Sequence, residues 1–429
     1  MTHQAHASPA NASLFSNRFY QTILISNIFL QIGIWVRNFA ILMFVTEKTS
    51  SDPLAISLIS VVEFAPIFVF SFIGGAFADR WKPKRTMIWC DFLSAVSVFA
   101  VLVTLLFESW YAIYFATFIS AILSQFSQPS VMKLFKQHIH PDKMQQGMAL
   151  FQSLMAIFMV LGPTLGIFAY HQFGIHISIG VMGVAFLLSA LVLFRLPADE
   201  EEEVQTERTS KLRQELADGF RYVWRSPVLR VLGAAFAIAG FAVGTIQTLG
   251  LFVVTENLGK PKEFLQFLLM VNGVAMLIGG AVIMSQAKKV PPQILLAFGM
   301  AVSAICIVGM GVSTSIPLTL FLQFLNGLTF PCIQVGINTL ILQSTEQSYV
   351  GRVNGVLSPM FIGMTVVMMS LAGVLKKLFP LVGIYTASGL VMLLGAIILI
   401  PIFKLKPAPI PVPGTIEASI SSAGSNESR

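Results

Sequence analysis

Two charged side chains stand inside long apolar runs of this sequence, Arg37 and Glu63. In hydrocarbon such a charge costs at least a few kcal/mol, so each must face protein or water, or snorkel to a surface. Arg37 lies about eight residues before the end of its run and Glu63 about nine after the start of the next, so at 1.5 Å per residue both sit roughly 12 to 14 Å from one surface. At that shared depth they can pair, or face a cavity separately. A carboxylate that binds a proton when the pair separates is a proton carrier, whereas a pair that never separates only fixes two helices. Asp91, a few residues into a later apolar run, is a second candidate proton site.

Amides and aromatics recur at helical spacing. Asn27, Gln31, Trp35 and Asn38 share one helix face, and so do Gln323, Asn326, Phe330, Gln334 and Asn338. Amides facing lipid would be left without hydrogen bonds, so both stripes face other helices or a cavity, with Gln125, Gln128, Gln247 and Asn272 as further lining candidates. Amides and aromatics with few fixed charges suit a bulky, partly apolar compound. Catalysis and metal binding find little support. His138 and His140 lack Cys or carboxylate at ligand spacing, Cys90, Cys306 and Cys332 lie in apolar stretches, and no nucleophile triad can be built, so neither an enzyme nor a cofactor is expected.

The elements that must position these residues follow from composition. Of 429 residues 55% are apolar and only 11% charged, with mean hydropathy +0.79. A soluble chain carries about 25% charged residues, so this one is an integral membrane protein with little mass outside the bilayer. Apolar runs predict twelve spans, at 19–45, 54–77, 87–106, 110–129, 148–169, 175–194, 229–254, 264–285, 293–311, 317–342, 353–375 and 381–403, the fifth and sixth parted at Gly174. With the N-terminus inside, the cytoplasmic segments hold 21 of the 27 Lys and Arg and the outer ones five, which favours both termini in the cytoplasm and assigns the +7 charge to the membrane rather than to nucleic acid. The expected organisation is a cytoplasmic tail (1–18), a six-helix bundle (19–195), a linker (196–228), a second bundle (229–403) and a disordered tail (404–429). Within the linker, Leu212, Leu216, Phe220 and Val223/Trp224 recur at helical spacing, predicting a surface helix with Tyr222 and Trp224 at headgroup level. Glu47 and Glu256, at outer boundaries, are expected to be solvated. The halves echo each other: Gly74-Gly75 recur as Gly279-Gly280, Pro129 as Pro331 and Gly147 as Gly351, at offsets of 205, 202 and 204 residues.

The loop GGAFADRWKPKR is similar to the signature of the major facilitator superfamily, through Gly75, Asp79, Arg80, Lys84 and Arg85. The resemblance extends over the membrane region and implies an all-α polytopic fold, twelve transmembrane helices in two six-helix halves. It further implies a gating latch at this loop, with Asp91 as a partner for Arg80 or Arg85. SQPSVMKLFKQHIHPDKMQQGMALFQS and GRVNGV, which contains Gly351 and Arg352, resemble the drug exporter branch that includes macrolide-efflux and siderophore-efflux proteins. LGPTLG, with Gly162, Pro163 and Gly166, resembles an antiporter motif, though Gly at i, i+4 is also a packing device.

The expectation is thus a multi-pass inner-membrane antiporter, functional as a monomer among membrane lipids, that exchanges protons for small amphipathic molecules and so contributes to efflux and multidrug resistance. A lipid flippase, a nutrient uptake permease and a non-transporting receptor or scaffold are the alternatives. Topology is checked by cysteine labelling from outside: sites introduced at 260–262 should react and those at 200–225 should not, and the reverse pattern would invert the charge-count orientation.

Overall fold

The computed structural model describes residues 17–71, 81–107, 109–139, 141–197, 209–286 and 290–403. Twelve α-helices follow one another: α1 (Arg18–Lys48), α2 (Pro53–Ser71), α3 (Pro83–Leu106), α4 (Ala112–His138), α5 (Pro141–Leu193), α6 (Thr209–Arg225), α7 (Pro227–Phe252), α8 (Leu265–Gln286), α9 (Pro292–Val312), α10 (Ile316–Ser344), α11 (Val350–Leu378) and α12 (Leu381–Ile398). Among the described residues ten of these are long and apolar enough to cross a membrane. α5 carries 48 such residues where a crossing needs about 20, and it turns back at Gly174, whose φ of 71° is open to glycine without strain. α5 is therefore two crossings. With α4, which packs against α2 and α3, the crossings number twelve, and α6 lies in the connection between the sixth and seventh.

α1 to α5 form one bundle and α7 to α12 the other, meeting along two seams, α2 with α11 and α5 with α8. α6, the start of α1 and the end of α12 belong to one end of the molecule, here the linker end. The short α1–α2, α9–α10 and α11–α12 connections mark the opposite end. The fourth span is longer than expected: α4 runs through Pro129 to His138, the Ser130 hydroxyl bonding the Phe126 carbonyl one turn back. The predicted loop around residues 130–147 is thus mostly helix. Both tails beyond residues 17 and 403 lie outside the described residues.

Between the helices the packing rests on small residues, since in lipid there is little hydrophobic gain in bringing two apolar helices together. On α7, Gly240 and Gly244 stand against the Phe361 and Thr365 carbonyls of α11, and the Thr365 hydroxyl donates to the Gly240 carbonyl at 3.0 Å. A methyl at Gly240 would collide with the Phe361 carbonyl, whereas at Gly180 nothing lies within 4 Å. Gly240→Ala should therefore cost about 1–3 kcal/mol, read as a lower unfolding temperature in detergent, and Gly180→Ala should leave that temperature unchanged. Equal behaviour of the two variants would remove the α7–α11 seam from the account.

Candidate functional site

Arg37 is 4% exposed, and three partners surround its guanidinium. Nε donates to Asn38 Oδ1 at 2.8 Å, Nη1 donates to Ser120 Oγ of α4 at 3.0 Å, and Nη2 lies 3.6 Å from Glu63 Oε1 of α2. Asn38 also donates from Nδ2 to Glu63 Oε1 at 2.7 Å, so one amide bridges cation and anion. The pair forms because α1 and α2 run antiparallel from a short turn, which sets Arg37 and Glu63 at matching depth. Ser120 had no sequence signal, since a lone serine in an apolar helix is unremarkable. The Glu63 side chain keeps 22% exposure, giving a proton a route to one face of an otherwise closed cluster.

Asp91 makes different contacts from those expected. Its Oδ2 accepts from Ser189 Oγ of α5 at 2.6 Å, and Ser189 meets Ser26 Oγ of α1 at 2.8 Å; all three are buried. No cation among the described residues pairs with it, so the expected partnership with Arg85 is replaced by a hydroxyl chain linking α3, α5 and α1. Gly75, Asp79 and Arg80 lie outside the described residues. Lys84 donates to the carbonyls of Phe194 and Leu196, satisfying the end of α5 and tying it to the start of α3. Gly351 stands in open space, and the Arg352 guanidinium lies 4.7 Å over the Tyr349 ring.

The Gly162-Pro163-xx-Gly166 face of α5 is filled by α1. The Trp35 ring covers Gly162, while a methyl at Gly166 would sit 2.6 Å from the Trp35 carbonyl and 2.7 Å from Phe39 Cβ. This contact corrects the cavity assignment of the first stripe, because close helix approach takes up the space. Gln31 donates to Met155 Sδ, Asn27 and Gln31 are buried, Trp35 is packed on α5, and Asn38 belongs to the charge cluster. Asn27 Oδ1 is buried with no hydrogen-bond partner among the described residues. The second stripe is divided. Asn272 donates to the Gln323 carbonyl at 3.2 Å and Asn326 accepts from Ser303 at 2.5 Å, so the amides near the start of α10 join helices. Phe330 and Gln334 are half-buried and Asn338 is exposed, as is Gln247 on α7; none of these three amides bonds another described residue. Gln125 is half-buried and donates to Ser124 at 3.3 Å, and the Gln128 side chain lies outside the described set.

At the opposite end a group of charges closes the molecule. Among the described residues two ion pairs and one histidine–carboxylate hydrogen bond join the two bundles: Glu47 of α1 with Lys262, Asp52 of the α1–α2 turn with Lys377 of α11 at 2.8 Å, and His171 of α5 with Glu263 at 3.0 Å. Tyr170 donates to the other Glu47 oxygen at 2.5 Å. Gly373 of α11 lies so close to α2 that a methyl there would sit 2.5 Å from Ser57 Oγ and 2.6 Å from the Pro53 carbonyl. Glu47 and Glu256 are therefore not simply solvated, since Glu256 meets Lys376 at 2.9 Å. A sequence signal for this latch did exist: acids sit at the α1–α2 turn of one half, and lysines at 260, 262, 376 and 377 of the other.

Against known proteins, the family model described as Major Facilitator Superfamily matches residues 23–356 and, again, 246–426. The uncharacterized MFS-type transporter YkuC of Bacillus subtilis (strain 168) is 24% identical over 356 residues, 81% of this chain and 83% of its own. The multidrug efflux pump Tap of Mycolicibacterium fortuitum is 25% identical over 374 residues, 82% of this chain and 87% of its own. Among solved structures, that of the nucleoside transporter NupG superposes with a TM-score of 0.72 at 12% identity, over 91% of this chain and 100% of its own, a likeness of fold.

Lys377's hydrogen bond holds the Asp52 carboxyl below the usual carboxylate range. A depressed acid stabilises the closed end above its unpaired pKa and loses that contribution as pH falls through the paired one, so the latch should weaken below about pH 4 and be intact at neutrality. Asp52→Asn should give the loosened end already at pH 7, seen as longer spin-label distances between the ends of α1 and α11; unchanged distances would reduce the pair to surface decoration, for which about 0–1 kcal/mol is usual.

Proposed function

The chain belongs to the Major Facilitator Superfamily, and on that premise we propose that it exports small amphipathic molecules in exchange for protons. Membrane transport of the secondary-active kind is the family's general activity, and the chain is a transporter rather than an enzyme. The observation that carries the finer reading is the Arg37–Asn38–Glu63 cluster, one acid half-exposed beside a fully buried cation. With the opposite end shut by ion pairs, Glu63 stays against Arg37 and Asn38. When the bundles rock and that end opens, water reaches Glu63, a proton neutralises it, and the return movement carries the proton to the linker end. Substrate enters in the deprotonated state, against Phe330, Gln334, Asn338 and Gln247, whose mix of aromatic and unbonded amide groups fits an amphipathic compound. Asp91, held by Ser189, is the second proton position. Gly162 and Gly166 contribute by fixing α1 on α5, so the charge cluster moves with the bundle as a unit. The name of Tap supports export of drug-like compounds. In a cytoplasmic membrane with both termini inside, as the charge count favours, this is transport out of the cell.

An uptake permease for a small polar solute is the second reading. The unbonded amides Gln247, Gln334 and Asn338 suit such a solute, and a cycle in which the protonated and solute-loaded carrier crosses together would deliver it inward. Vesicles of known orientation with an imposed pH gradient separate the two. Movement of amphipathic dyes toward the acidic side supports exchange, and movement with the proton supports uptake.

Glu63→Gln should abolish gradient-driven flux while changing ligand affinity no more than a few fold. Arg37→Ala should keep exchange in the absence of a gradient and couple it weakly, because Glu63 is left without its cation. A purely structural pair would instead give two destabilised variants, each losing about 3–5 kcal/mol, whose folded fraction couples normally. The measurement is ligand-induced proton movement per folded protein; full movement in Glu63→Gln would transfer the role to Asp91.

A further inference from the structure

α6 is amphipathic in an unusual sense, since neither of its faces is idle. One side, Gly219, Tyr222 and Val223, is buried against the first turns of α11. A methyl at Gly219 would lie 2.6 Å from the Arg352 carbonyl, so the two helices touch through backbone. Tyr222 stacks on Tyr349 with ring centroids 4.7 Å apart, the Arg352 guanidinium lies over the Tyr349 ring, and the Tyr222 hydroxyl accepts from the Glu346 N–H at 3.3 Å. Tyr222 is thus not a headgroup residue, as the sequence pattern suggested, but the pin that joins α6 to α11. Periodicity alone cannot tell which of two adjacent aromatic arcs faces protein.

The other side carries Phe220 and Trp224, 57% and 64% exposed and stacked on each other at 5.8 Å. Next to them on the helix stand Arg221 and Arg225, both exposed and without an ion-pair partner among the described residues. Only Ser226 separates α6 from Pro227, where the membrane-crossing α7 begins, and the Ser226 hydroxyl caps that helix by accepting from the Leu229 N–H. Trp224 therefore lies within one turn of the start of a crossing. An aromatic pair flanked by unpaired arginines at this level is what an interfacial helix presents to lipid, rings among the upper acyl chains and guanidinium groups at the phosphates.

From these contacts we propose that the Phe220–Arg221–Trp224–Arg225 face of α6 is a docking site for the anionic headgroup layer of the bilayer, and that through the Tyr222–Tyr349–Arg352 stack the docked helix sets the position of the first turns of α11. Because α11 also packs on α2 across the seam between bundles, the charge of the surrounding lipid becomes an input to the conformational equilibrium. This input acts independently of the transported compound and of the coupling ion.

The test follows amide hydrogen exchange of the full chain in vesicles of phosphatidylcholine alone and of phosphatidylcholine mixed with phosphatidylglycerol, and needs no substrate. Anionic lipid should slow exchange both in 217–226 and in 350–356, and high salt should cancel the slowing. Arg221→Gln with Arg225→Gln should lose both responses, binding of the helix weakening about fivefold per arginine removed, while matching the unmodified chain in neutral vesicles. Tyr349→Ala should keep the response in α6 and lose it in α11. Exchange in α6 that ignores anionic lipid would overturn the docking site, and a response in α11 that survives Tyr349→Ala would overturn the mechanical link.

Discussion

The contact on which the remaining geometry depends is the close approach of α1 to α5. One turn of α1 meets α5 through atoms that leave no room for a larger residue, Trp35 over Gly162 and the Trp35 carbonyl at Gly166, with Gly33 close against Ala185. Toward the start of α1 polar groups complete the seam, with the Tyr20 hydroxyl on the Gly147 carbonyl and Ser26 on Ser189. In hydrocarbon no water can satisfy a group that misses its partner, so this seam fixes the rotation of α1 as well as its distance. That rotation points Arg37 at Ser120 and Glu63, and it places Ser26 where it completes the hydroxyl chain to Asp91.

Much of the fold could be read from the sequence because bilayer thickness sets span length and composition sets environment. Residues 175–194 separate from 148–169 at Gly174 for a local reason, the positive φ that a hairpin without a loop demands. The shared depth of Arg37 and Glu63 was legible for the same geometric reason. What resisted reading was the partner of each polar group. Periodicity assigns a face and leaves open whether protein or water covers it, so the amides of α1 pointed equally to a cavity and to a helix. The ion pairs at the opposite end depend on how two halves far apart in sequence are apposed, which no local pattern encodes, even though the opposite signs of their connections were visible. Asp91 illustrates the limit most clearly: nothing in the spacing of Ser26, Asp91 and Ser189 announces a single chain of hydroxyls.

Stability and movement are divided between different kinds of contact. Within each bundle, glycines admit backbone-to-backbone approach, which is short-ranged and breaks all at once. Between bundles at the opposite end one such approach, Gly373 on α2, stands among half-exposed charges that attract over a longer range and each contribute little. Rigid units joined by weak, separable contacts are the mechanical requirement for two halves to rock about a buried site without loosening internally.

The signs of the charges in that latch have a bearing on ancestry as well as on closure. The turn of the first half offers Glu47 and Asp52, and the facing elements of the second offer Lys262 and Lys377. At the Glu47–Lys262 pair, which joins the first connection of each half, two copies of the first half would set carboxylate against carboxylate, and two copies of the second would set ammonium against ammonium. A duplicated chain whose halves had remained alike could self-assemble from either one. At this pair the distribution of sign makes each half a poor partner for itself and a good one for its sibling, so the contact that closes the transporter also favours the pairing of unlike halves.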